Sequence, residues 1–246
     1  MDMNFKKNFT KKWKRYFPGK ELPIACYYAD ETHGLDFSPR PVPDEKGYAC
    51  IFRQLAEVRR GTAKAFYANN LGCAGAKLNL GFDSDTPIGD VAHVLADIER
   101  YKKSMADVRA WYKKYPPLKA PGRFIVFKRW DLLDRDDVPQ VVSFFGNADT
   151  IAGLHVLANF NTRAEEGVIA PFGSGCDTLV VFPLRELYAD SPKAVLSGFD
   201  PSCRRCGEPA RLIFSVPWPK FTGMAGDMDK SFLTTGVWED IKLRCE

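Results

Sequence analysis

The sequence predicts a single domain of the α/β or α+β class, a mixed β-sheet with helices packed on it. Three observations lead there. Seven strand-like runs alternate irregularly with helix-like runs, which suits a mixed sheet rather than a bundle or a sandwich. No Gly-, Pro- or Ser-rich stretch reads as an interdomain linker. At 246 residues, 45% hydrophobic and 27% charged, the chain has material for one large core.

Residues 4–17 read as a helix. Phe5, Phe9, Trp13 and Phe17 recur every four positions, with Lys6, Lys7, Lys11, Lys12, Lys14 and Arg15 among them. Such a stripe either packs on its own domain or lies on a membrane surface, and packing is the commoner use. Residues 1–20 are thus expected to be a basic amphipathic helix on a domain spanning 21–246. Pro18-Gly19 ends the helix; 22–28 reads as a strand and 30–46 as a loop carrying Pro39, Pro41 and Pro43. Residues 48–60 have helical spacing and close at Gly61, with Cys50 in the first turn. A strand follows at 62–69, then the turn Gly72-Cys73-Ala74-Gly75-Ala76.

The longest helical pattern is 91–115, with Val94, Ile98, Tyr101, Met105, Val108 and Tyr112 near a 3.6 period, stopped by Pro116-Pro117. Strands at 123–130 and 140–145 flank an acidic connector with Asp131, Asp134, Asp136 and Asp137. That spacing matches no calcium loop, so a solvated turn is expected. In a helix over 147–161, His155 shares a face with Ile151, Leu154 and Ala158, the pattern of a packed histidine rather than a ligand. Residues 168–170, 193–199 and 212–216 supply the remaining strands; 178–188, 217–226 and 231–244 read as helices.

Composition excludes several classes. No apolar run reaches the roughly 18 residues of a membrane span, and no apolar segment follows the basic N-terminus as in a secretory signal. Much of the +4 net charge is the N-terminal lysines, so no nucleic-acid face is indicated. Seven widely spaced cysteines do not make a secreted disulfide framework; reduced thiols in the cytoplasm, some on a metal, are expected.

Several motifs together resemble the uncharacterised ArCR family, a domain of unknown function found in archaea and anaerobic bacteria. They are Cys50; the 72–76 turn with Leu80-Gly81-Phe82; Val141-Val142-Ser143-Phe144-Phe145 with Leu157-Ala158-Asn159-Phe160; and Pro171-Phe172-Gly173-Ser174-Gly175-Cys176. The tail adds Phe199-Asp200-Pro201-Ser202, Phe214-Ser215-Val216-Pro217-Trp218-Pro219 and Met228-Asp229-Lys230-Ser231-Phe232-Leu233. The resemblance runs over roughly residues 20–244, places Cys50, Cys73 and Cys176 at family positions, and implies no reaction.

The 171–176 stretch sits between an apolar strand and a helix start. Its backbone N–H groups and the helix dipole would favour a thiolate at Cys176, suited to a metal ligand or a nucleophile. The plainer reading is a tight glycine turn with a cysteine as core filler. Gly72-Cys73 repeats that grammar. Three such thiols suit soft-metal ligation at Cys50, Cys73 and Cys176, by an iron–sulfur cluster or zinc. A fourth ligand would be Cys203, Cys206, a histidine or an exogenous group. Cys203 and Cys206 have the two-residue gap of a shared zinc or a disulfide, with Arg204 and Arg205 favouring the thiolate.

Hydrolase and nucleotide motifs are missing: there is no G-x-S-x-G, no G-x-G-x-x-G and no P-loop, and His33, His93 and His155 are the only histidines. Two functions stay open. One is a cysteine-ligated metal or iron–sulfur protein of anaerobic metabolism, with redox chemistry and a redox partner among its options. The other is a non-redox module in which Gly72, Gly75, Gly173, Ser174 and Gly175 cradle a small anionic molecule. No membrane span and no nucleic-acid partner are expected, and the oligomeric state, homodimer included, is left open.

Overall fold

A computed structural model describes residues 1–32, 35, 50–83, 85–163, 166–207, 210–242 and 244. Most of the expected 30–46 loop, His33 and Cys245 lie outside the described residues. Helix α1 (Met3–Tyr16) starts where the Asp2 carboxylate accepts from the Asn4 N–H at 2.8 Å and carries Lys14 and Arg15 in its last turn, complementing the dipole at both ends. Then come β1 (Ile24–Ala29), α2 (Ile51–Arg59), β2 (Lys64–Phe66), α3 (Ala74–Asn79), α4 (Ile88–His93), α5 (Met105–Lys114), β3 (Phe124–Arg129), β4 (Val141–Gly146) and α6 (Ala148–Asn159). The chain continues through β5 (Val168–Ile169), α7 (Phe182–Glu186), β6 (Ala194–Ser197), α8 (Pro201–Arg204), β7 (Leu212–Pro217), α9 (Trp218–Asp227) and α10 (Gly236–Lys242).

The strands form one sheet in the order β2-β3-β1-β4-β7-β6-β5, antiparallel except for the β5–β6 pair, so the class is α+β with a mixed sheet. Side-chain alternation sorts each central strand between two cores. Ala25, Val142, Phe144, Phe214 and Val216 face one side, where Phe9, Trp13 and Phe17 from the N-terminal segment, Leu154 of α6 and Phe221 of α9 pack on them. Ile24, Cys26, Phe127, Val141, Phe145 and Ile213 face the other, under Leu55 of α2 and the stretch around Leu179 and Val180. The aromatic stripe of α1 is therefore a core face.

The 91–115 pattern is not one helix. Helix α4 runs into a π-helical turn, Val94–Ile98, the chain reverses through Arg100 at φ 56°, and Ser104 caps α5 by accepting from the Asp107 N–H. The same apolar positions then pack across a hairpin, where Ala92 and Ala96 meet Val108 and Tyr112. The acidic connector also departs from expectation. Asp137 is fully buried and accepts from Lys128 Nζ at 2.7 and 2.9 Å, so one of the four carboxylates is a core residue. His155 is exposed on α6, because the helix turns Ile151, Leu154 and Ala158 inward and leaves it facing water.

Gly81, just past α3, adopts φ +79°, and a Cβ there would lie 2.3 Å from Ala120 N and 2.6 Å from Leu118 O. Both obstacles are backbone and cannot swing away. Gly81→Ala should cost at least about 2 kcal/mol in urea unfolding, left-handed strain adding to overpacking. Gly226→Ala in α9, with nothing within 4 Å of the new Cβ, should be neutral or stabilising. Equal effects at the two glycines would refute this account.

Candidate functional site

The two strand-to-helix cysteine turns open onto one cavity of about 420 Å³. Cys50 is the N-cap of α2 and Cys73 the N-cap of α3. Cys176 lies in the first turn of a continuous helical run from 175 to 186, whose middle, Asp177–Val181, is a π-helical turn before α7. All three cysteines line the cavity, together with Cys203 from α8. The α4–α5 hairpin supplies the opposite wall with Val91, Leu95, Trp111 and Tyr112. Both π-helical turns contribute to the lining, through Val94, Leu95 and Asp177; such turns are rare and recur at functional sites.

The glycine turn does two jobs. A Cβ on Gly175 would lie 2.7 Å from Cys203 Sγ and 2.7 Å from Phe52 Cε2, so its absence lets α8 and α2 close onto the helix start. Two of its N–H groups are already used: Gly175 N donates to Asp200 Oδ2 at 2.8 Å and Ser174 N to Asp177 Oδ2 at 3.2 Å, with Ser174 Oγ donating to the same oxygen at 3.1 Å. The chain's own carboxylates thus sit where an anion would. Among the described residues no Lys, Arg or His lines the cavity, whereas Asp90, Glu99, Asp177 and Asp200 do, which weighs against an anionic ligand.

Burial governs the titration of these groups. The Cys176 thiol is pushed well above its ordinary value by desolvation, then by Cys50, Cys73 and Asp177 nearby. Burial thus opposes the thiolate that the turn was expected to favour. Cys203 is raised by burial and by Asp200, and Arg204, expected to favour its thiolate, acts weakly because it bonds the Gly198 and Arg211 carbonyls instead. Asp177 is pushed up to about 6 by burial, against the hydrogen bonds from Ser174. Asn79, 5% exposed, donates from Nδ2 to Ser174 Oγ at 2.6 Å, while its Oδ1 has no hydrogen-bond partner among the described residues.

The sequence profile of the family described as uncharacterised ArCR matches residues 15–227. The chain belongs to that family. The ArCR match takes in every cysteine on the cavity and both glycine turns. No curated protein and no solved structure matches this ArCR chain.

Of the residues singled out in the ArCR sequence as ligand-binding, Gly75, Ser174 and Gly175 line the cavity. Gly72 is exposed beside it, and Gly173 packs against Asp177 and Phe182, tight enough that a Cβ would come within 3.1 Å of each. No disulfide joins the described cysteines, Cys203 and Cys206 included. Among the described residues, no three His, Cys, Asp or Glu donors are grouped so as to hold a metal ion, and no helix is long and apolar enough to cross a membrane. Sequence reasoning passed over Asp177, Asp200, Glu99 and Asn79. Asp200 carried a cue, because Asp200-Pro201 is an N-cap followed by proline at the first helical position. Asn79 carried none.

Proposed function

We propose that this ArCR protein is a cytoplasmic cysteine-ligated metalloprotein, with an iron–sulfur type centre held by Cys50, Cys73 and Cys176 and completed by Cys203. The observation that carries this reading is four thiols from four separate segments on one cavity. A mononuclear zinc needs its donors gathered around a point, and no such group exists among the described residues. A cluster spreads its thiolates over different iron atoms, so four sulfurs arranged around one cavity suit it better. The cavity carboxylates add negative potential that draws cations in. Such a centre would supply electron transfer, with the hairpin wall limiting access of water.

The test is anaerobic purification followed by iron, zinc and acid-labile sulfide analysis and a visible spectrum. Iron and sulfide in comparable amounts, with a broad visible absorbance, is the expected result. Cys176→Ser should bleach that absorbance and lower iron content several-fold while the far-UV circular dichroism stays unchanged. Protein that is metal-free when purified and reconstituted without oxygen would overturn the reading. The thiols would then be packing groups in a binding pocket for an organic molecule, a role its size and aromatic walls also suit.

A further inference from the structure

We propose that the part of the cavity between the α4–α5 hairpin and the glycine turn binds an organic cation with a flat apolar body, such as an aromatic amine or amidine, and rejects carboxylates and phosphates. The inference goes beyond the thiol centre and does not need it.

Charge comes first. Asp90 and Glu99 from the hairpin side face Asp177 and Asp200 from the glycine-turn side across one cavity, with no basic residue in the lining among the described residues. Burial, and then the Asp200 charge, hold Glu99 above the ordinary carboxylate range, with exposed Arg205 only partly offsetting them. An unbalanced negative cavity is relieved by a bound cation. Since no three of these donors are grouped for a metal ion, an organic cation that meets them one at a time fits the arrangement better.

Hydrogen-bonding capacity points the same way. Two of the donors that the glycine turn would offer an anion, the Ser174 and Gly175 N–H groups, are occupied by Asp177 and Asp200. What the lining leaves open is acceptor capacity, with the buried Asn79 Oδ1 lacking a partner among the described residues. Acceptors on carboxylates and an amide oxygen call for a ligand rich in N–H groups.

The walls supply the apolar half. Trp111 and Phe172 meet edge to face at 5.8 Å, and Tyr112 and Phe52 extend the aromatic lining. A cation already uses one of these rings, for Lys102 Nζ lies 4.0 Å over Phe172. Aromatic faces and carboxylates together form a site for a cation of modest size, and about 420 Å³ is within the range of small-molecule pockets.

Benzamidinium and benzoate, which share a ring and differ in charge, test this on the full chain by calorimetric titration and thermal shift at pH 7.5 and constant ionic strength. Benzamidinium should bind saturably and raise the melting temperature, with benzoate at least about tenfold weaker. Glu99→Gln combined with Asp90→Asn should weaken benzamidinium at least about tenfold without lowering the melting temperature of the free protein. These substitutions are isosteric and on a partly exposed wall, so loss of binding is separable from loss of fold. Benzoate binding as well as benzamidinium, no binding of benzamidinium, or binding unchanged in the double variant would overturn the proposal. Metal content measured on the same preparations separates the two readings: metal-free protein that still selects benzamidinium sinks only the thiol centre.

Discussion

Trp13→Ala should destabilise the protein by about 3–5 kcal/mol, the range for deleting a large buried aromatic. Trp13 is 2% exposed, stacks on Phe17 with ring centres 4.3 Å apart and lies 4.8 Å from Phe144 of the sheet. Its Nε1 donates to the Glu21 carbonyl at 3.1 Å, fixing the chain between α1 and β1. For a chain of this length the melting temperature should fall by about 6–20 °C. Trp13→Phe keeps an aromatic plane against Phe17 and gives up the indole hydrogen bond, so its cost should be under half that of alanine. The alternative use of a basic amphipathic helix, lying on a membrane, makes the opposite forecast: stability nearly unchanged and liposome binding lost. Urea unfolding and vesicle co-sedimentation of the two variants decide between them.

How far such features were legible depends on the range of the interaction that sets them. The α1 stripe was legible because aromatic residues at intervals of four admit one buried face. The seven strands were legible as apolar, β-branched or aromatic runs between turn residues. The break in the 91–115 pattern was not, since the left-handed residue there is Arg100 rather than glycine and the second helix is announced only by the cap at Ser104. A hairpin and a single helix bury the same periodic residues, so periodicity alone cannot choose between them.

The cavity divides in the same way. Glycine-cysteine turns before helix starts marked Cys73 and Cys176 locally. That they share a lining with Cys50 and Cys203 depends on tertiary packing, including the missing side chain at Gly175 that admits Cys203 and Phe52. The shift of Cys176 away from the thiolate is likewise a property of burial, invisible in the six residues around it. The carboxylates come from segments far apart in sequence, and each alone looks like an ordinary surface or capping residue.

Asp137 shows the same limit and leads to the last large effect. Its spacing with Asp131, Asp134 and Asp136 suits a solvated turn, yet it is fully buried against a lysine nine positions earlier on β3. Lys128 Nζ is held at 2.7 and 2.9 Å by Asp137 and at 3.2 Å by Asp134, while the Asp134 N–H and the Tyr27 hydroxyl also donate to Asp137. Asp137→Ala strands the ammonium of a lysine whose side chain is 5% exposed, leaving it only the half-exposed Asp134. Breaking a buried pair in this way costs about 3–5 kcal/mol. Replacing both partners with apolar residues of similar volume, Lys128→Met with Asp137→Leu, removes the stranded charge and should cost less than Asp137→Ala alone. Tyr27 and the Asp134 N–H still lose an acceptor in the double variant, so it should not fully regain the native stability. A double-mutant cycle in urea measures this directly. A cost under about 1 kcal/mol for Asp137→Ala would mean that water reaches Lys128, and the connector would then be the solvated turn its composition suggests.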